Sequence, residues 1–177
     1  MKSLKSYIQE KLIIKKSKSN SYKYFPKTKK ELIDIIEKRI EQEGNNVNLN
    51  DIDVSEITDM SNLFRGTDFN GDISDWDVSN VTDMQGMFYG CEEFNQDISD
   101  WDVSNVNDMS YIFSGCKSFN QDISRWDVSN VTNMNAMFAW CEDFNQDISN
   151  WDVSNAKYFT DIFYNCKIKE KHRPKFK

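Results

Sequence analysis

The stretch Phe94-Asn95-Gln96-Asp97-Ile98-Ser99-Asp100-Trp101-Asp102-Val103-Ser104-Asn105-Val106 returns almost letter for letter from Phe119 and Phe144, and with small changes from Phe69. Trp76, Trp101, Trp126 and Trp151 are each 25 residues apart, and Cys91, Cys116, Cys141 and Cys166 keep the same step. A fixed period of roughly 20 to 50 residues marks units that bury their apolar faces by stacking on one another. The 177 residues suffice for one domain. They divide into a basic N-terminal segment 1–24, a capping-helix region 25–46, repeats over 47–166 and a basic tail 167–177.

The edges differ from the middle. Leu4, Ile8 and Leu12 are one helical step apart in a lysine- and serine-rich segment, which fits a frayed terminus or a docking peptide. Thr28-Lys29-Lys30-Glu31 has capping-box spacing, with Thr28 as N-cap and Glu31 reaching back to its amide. Leu32, Ile36 and Ile40 give the apolar stripe of a helix over 28–43, and Gly44 supplies its C-cap. Such a helix predicts a shield for the open end of the first coil. Leu49 to Met60 is a diverged first copy in which Ile52 replaces the tryptophan. The last copy departs at Asn155-Ala156-Lys157-Tyr158-Phe159, and Lys167 to Lys177 lack an apolar pattern.

Within one repeat, Ile98, Trp101, Val103 and Val106 are apolar. Trp101 and Val103 alternate with Asp102 and Ser104, which predicts a short strand with one buried face. Asn107 then sits at a helix N-cap position, shared by Thr82 and Thr132. Met109, Ile112 and Phe113 at i, i+3, i+4 predict a short helix that ends at Gly115. The expected fold is an α/β repeat: a right-handed leucine-rich-repeat-like solenoid with one strand and one helix per coil. Its ladders of Trp, Met/Phe and Cys bury roughly 150–250 Å² per large ring.

The run Phe-Asn-Gln-Asp-Ile-Ser-x-Trp-Asp-Val-Ser-Asn-Val-Thr-x-Met-x-x-Met-Phe-x-x-Cys resembles the bacterial surface protein repeat of about 25 residues. That repeat belongs to the BspA-like leucine-rich-repeat proteins, also known as a domain of unknown function common in mycoplasmas and gut bacteria. The resemblance spans roughly residues 49–166, and Pro26 to Lys29 resembles the lead-in of such repeats. It implies a solenoid and, by analogy with characterised relatives, surface attachment or binding of other macromolecules. The chain departs in showing no signal peptide or lipid anchor, so intracellular or phage-encoded relatives are the better comparison.

Charge is segregated. Residues 1–46 carry twelve Lys/Arg against six Asp/Glu, residues 47–165 four against twenty-two, and the tail is net +5. An acidic body of net −18 repels nucleic acid. No apolar run is long enough to span a membrane or to serve as a secretion signal. This predicts an intracellular or virion-associated protein, and structural disulfides are not expected in a reducing compartment.

Asp53, Asp77, Asp102, Asp127 and Asp152 hold one equivalent position on the expected wet strand face. Strand spacing would stack them about 4.8 Å apart, where like charges raise carboxyl pKa values. Asp75, Asp100, Arg125, Ser79, Ser104, Ser129 and Ser154 lie beside them. Two readings compete: a partner-binding surface for a basic macromolecule or divalent cations, or carboxylates that accept local hydrogen bonds and keep the face soluble. Asn80, Asn105, Asn130 and Asn155, with Asn95, Asn120 and Asn145, predict asparagine ladders, buried amides stacked coil on coil that satisfy turn backbone groups. The cysteines lack the paired spacing of a zinc site and read as small buried hydrophobes.

Asp68 to Asp72 fails as a calcium loop, because its Gly is misplaced and position twelve lacks Glu. The single histidine, His172, lies in the basic tail and reads as solvated. No residue is marked as a nucleophile or acid, so no enzyme activity, cofactor or metal site is expected. The expected function is a non-enzymatic interaction or structural module that binds a protein or other macromolecule through the acidic strand face. The alternative is a phage structural protein anchored by residues 1–24, and a metal-stabilised scaffold is a third class.

Overall fold

A computed structural model describes residues 21–176. The Leu4, Ile8, Leu12 stripe lies outside those residues, and so does nearly all of the segment expected to anchor or dock. The repeats stack coil on coil, but without the expected elements. Among the described residues there is one α-helix, α1 (Lys29–Glu43), one 3-10 turn at Glu170–His172, and no strand. Coils meet in β fashion at one residue each, through parallel bridges that run Asp59 to Asp83, Asp108, Asn133 and Tyr158. The expectation of a leucine-rich-repeat-like solenoid with a strand and a helix in every coil is therefore wrong, for two local reasons.

Where a strand was expected, the backbone turns twice. The Trp101 N–H donates to the Ile98 carbonyl at 3.2 Å and the Val106 N–H to the Val103 carbonyl at 2.9 Å. Both turns are supported by an aspartate. The Ser99 amide donates to Asp97 Oδ1 at 3.0 Å and the Ser104 amide to Asp102 Oδ1 at 3.2 Å. Short polar side chains offer the backbone a local partner that competes with ladder bonds. Alternating burial survives, but successive turns produce it.

Where a helix was expected, alternate amides leave the coil. Met109, Tyr111, Phe113 and Gly115 donate to carbonyls of Asn133, Asn135, Met137 and Ala139 in the next coil, at 2.9, 2.9, 3.1 and 2.8 Å. Ile112, Ser114 and Cys116 close turns onto residues three back. An α-helix needs each amide bonded four back and φ near −63° throughout. Here Tyr111 has φ 59° and Gly115 φ 79°. The same left-handed pair recurs at Asn62/Gly66, Gly86/Gly90, Ala136/Trp140 and Asp161/Asn165. A side chain in that region costs about 1–2 kcal/mol, so each Gly is the easier occupant. Met109, Ile112 and Phe113 are nonetheless fully buried. The Thr82, Asn107 and Thr132 amides bond the preceding coil instead of starting helices.

The core is a set of ladders. Phe64, Phe88, Phe113, Phe138 and Phe163 stack with centroids 5.6 to 5.8 Å apart. Phe69, Phe94, Phe119 and Phe144 form a second column, and Phe88 lies on Phe94 at 3.9 Å. The indole N–H of each buried tryptophan, Trp76, Trp101, Trp126 and Trp151, donates to a carbonyl of the coil before, as Trp126 does to Ile98 at 3.1 Å. A buried ring is thus kept without an orphaned donor.

Both ends are covered. Thr28 accepts the Glu31 amide at 3.2 Å, while the Glu31 carboxylate takes the Lys27 amide at 2.7 Å, one residue earlier than expected. Leu32 and Ile36 of α1 are buried in the same core as the first coil. Arg39, which the apolar pattern did not single out, fastens α1 to that coil. Its guanidinium donates to Asp51 at 2.8 Å and to the Asn48 carbonyl at 3.0 Å. Tyr24 adds a parallel bridge to Ile52. At the other end, Ile168 is buried, Arg173 lies over Phe163 at 5.1 Å, and Phe176 stacks on Phe159 at 4.7 Å. His172, read as solvated, is half-buried, with Nδ1 3.0 Å from the Asn145 carbonyl.

Candidate functional site

The stack brings Asp53, Asp77, Asp102, Asp127 and Asp152 to one position per coil, but at a turn and not on a strand face. Each carboxylate Oδ1 accepts the amide of the serine two residues on: Ser55, Ser79, Ser104, Ser129 and Ser154 at 3.1, 3.3, 3.2, 3.1 and 3.0 Å. Ser79 and Ser104 also donate their hydroxyls, at 2.5 and 2.6 Å. The same motif occurs twice more in a coil, at Asp97 with Ser99 and at Asp108 with Ser110. In that coil three turns therefore rest on an aspartate, with Asn133 taking the third place in the next coil, and such turns account for much of the body's acidity.

Electrostatics follow those bonds. The hydroxyl and amide of Ser129 hold Asp127 below the usual carboxylate range, against the opposing field of Asp152. Asp97 is lowered in the same way by Ser99. At Asp72 burial works upward, but the amide and hydroxyl of Ser74 outweigh it. The expected rise from stacked like charges is thus reversed at Asp127, because hydrogen bonds to the ionised form dominate.

Asp75, Asp100 and Arg125 are exposed beside the column, and the Asp75 amide donates to Asn50 Oδ1 at 2.9 Å. Ser79, Ser104 and Ser129 offer their carbonyls to Asn105, Asn130 and Asn155 Nδ2 at 2.7, 2.8 and 2.8 Å. At the N-terminal end, burial and then the charges of Asp53, Asp77 and Asp75 raise the Tyr22 phenol. Among the described residues no three His, Cys, Asp or Glu are placed to hold a metal ion.

Cys91, Cys116 and Cys141 form a buried column, and Cys166 is half-buried at its end. Cys91, Cys116 and Cys141 donate Sγ–H to the Phe64, Phe88 and Phe113 carbonyls, each at 2.9 Å, and all four cysteines are free thiols. Burial pushes Cys91 up to about 11 and Cys116 and Cys141 well above the usual thiol value. An open depression of about 440 Å³ lies beside α1 between Tyr24, Phe25 and Ile35. No described helix is long and apolar enough to cross a membrane.

The repeat pattern did not reveal a set of exposed rings, Tyr89, Tyr111, Trp140 and Tyr164. They sit where the copies disagree with one another, so the signal lay in the exceptions to the period.

The sequence profile of a family described as a Mycoplasma protein of unknown function, DUF285, matches residues 34–129 and again 98–176. No curated protein matches significantly, and no solved structure does.

Proposed function

Since the chain belongs to this family of unknown function, we propose that it is a non-enzymatic module that binds a basic macromolecule through the acidic body of its repeats. The observation that supports this is the column Asp53, Asp77, Asp102, Asp127 and Asp152, held at one turn per coil. Asp102, Asp127 and Asp152 are exposed. The serine amides all fall on Oδ1. Each aspartate is thereby fixed in direction, so the row itself would lose little side-chain entropy on meeting a partner. The net −18 of residues 47–165 would speed the encounter with a cation and oppose nucleic acid. The resemblance to bacterial surface repeats, whose characterised relatives bind macromolecules, supports the same class of function.

The test is binding of immobilised polylysine at graded salt, comparing the protein with Asp102→Asn/Asp127→Asn. Asparagine keeps the turn acceptor and removes the charge. A salt-sensitive interaction that weakens several-fold in the double variant is expected. Equal binding by both proteins would refute the assignment to this column.

A further inference from the structure

We infer a second interaction surface in a different segment of the coils, an aromatic stripe that takes an arginine-rich extended segment of a partner. It goes beyond the acidic column and does not depend on it. Tyr89, Tyr111, Trp140 and Tyr164 are 38, 42, 50 and 53% exposed, whereas the other four tryptophans are buried. The rings pair along the stack. Tyr89 and Tyr111 meet edge to face at 6.4 Å, and Trp140 and Tyr164 at 5.5 Å.

Two of these rings stand on backbone that disfavours them. Trp140 has φ 63° at the position that Gly66, Gly90 and Gly115 fill in other coils, and Tyr111 has φ 59° where Gly86 stands. A bulky residue in the left-handed region is strained. Burial does not repay that strain, since both rings remain about half in water. Strain kept at exposed aromatics, where glycine would fold more easily, points to a contact outside the fold.

The chemistry favours a guanidinium. Arg65 already lies over the Tyr89 ring at 4.6 Å, which is the contact an incoming arginine would repeat on Tyr111 or Trp140. Exposed carboxylates follow the rings, Glu92 and Glu93 after Tyr89, and Glu142 and Asp143 after Trp140. Packing of this stripe against the same stripe of a second copy is disfavoured, because two repeat bodies of net −18 repel.

Trp140 is the exposed one of five tryptophans, so acrylamide quenching reports on this surface. The probes are octa-arginine and octa-lysine with the full chain, and fluorescence anisotropy of the labelled peptide gives affinity. Octa-arginine is expected to shield Trp140 and to bind at least tenfold more tightly than octa-lysine. Trp140→Gly copies three other coils and should keep the fold while weakening octa-arginine at least tenfold. Unchanged affinity in Trp140→Gly would overturn the inference. So would loss of octa-arginine binding in Asp102→Asn/Asp127→Asn alone, which would place the arginines on the aspartate column. Shielding of Trp140 by a neutral hexasaccharide but not by octa-arginine, or by self-association that Trp140→Gly abolishes, would equally reject it.

Discussion

Replacing Gly115 with alanine separates two backbones that bury the same side chains. Were an α-helix to run on through Gly115 with φ near −63°, Gly→Ala would stabilise it by about 1 kcal/mol through helix propensity. In the observed coil Gly115 has φ 79°, and a Cβ there would stand 3.3 Å from Gly90 Cα and 3.5 Å from Gly90 N. The left-handed conformation costs an L-residue about 1–2 kcal/mol. The close backbone contact adds to it, because neither atom sits on a side chain that can swing away. The loss expected for Gly115→Ala is therefore at least about 1–2 kcal/mol, opposite in sign to the helical case. For a chain of this size that is a fall in Tm of roughly 2–8 °C, read by thermal melting followed by circular dichroism. A rise in Tm, or no change, would refute the left-handed turn at Gly115 and with it the account of why the coils lack helices.

Acid should destabilise the protein through its turn aspartates. Asp72, Asp97, Asp122 and Asp127 have folded pKa values below the ordinary carboxylate value. Their contribution is therefore complete above the unfolded value, about pH 4. It fades as pH falls from there through the lower folded values. Melting midpoints should stay level from pH 5 to 7 and drop below pH 4; a midpoint that holds to pH 2 would contradict this. For the thiols, burial raises Cys91, Cys116 and Cys141, so these three should resist an aromatic disulfide reagent at pH 8 in the native protein. Denaturant should release four reactive thiols; fast native labelling at Cys116, located by peptide mapping, would show that the column opens.

Much of the architecture could be read from letters. The 25-residue step of Trp and Cys announces stacking, and it holds because each coil leaves an apolar face that the next identical coil can cover. The apolar positions Ile98, Trp101, Val103, Met109 and Phe113 were identifiable as core for the same reason. Thr28 and the Leu32/Ile36 stripe located α1, since capping and helical periodicity are local properties. The cross-coil bonding of the asparagine columns was legible too, because an amide repeated at a turn has a carbonyl one coil away to satisfy, but Asn80, Asn105, Asn130 and Asn155 are exposed and not buried as expected.

Backbone conformation was settled by tertiary structure. Burial at i, i+3, i+4 does not distinguish a helix from a turn chain whose alternate amides reach the next coil. Apolar alternation likewise does not distinguish a strand from two aspartate-supported turns. That choice depends on hydrogen-bond partners 24 to 28 residues away, as between Met109 and Asn133 or Cys116 and Phe88, which no local window contains. The same limit explains why the basic tail around Ile168 and Arg173 turned out to cover the last coil. Its apolar partners are supplied by residues already in the stack. The aspartates of the repeating stretch changed most between the two views: as letters they were surplus charge, and in the fold they are the acceptors that turn the chain.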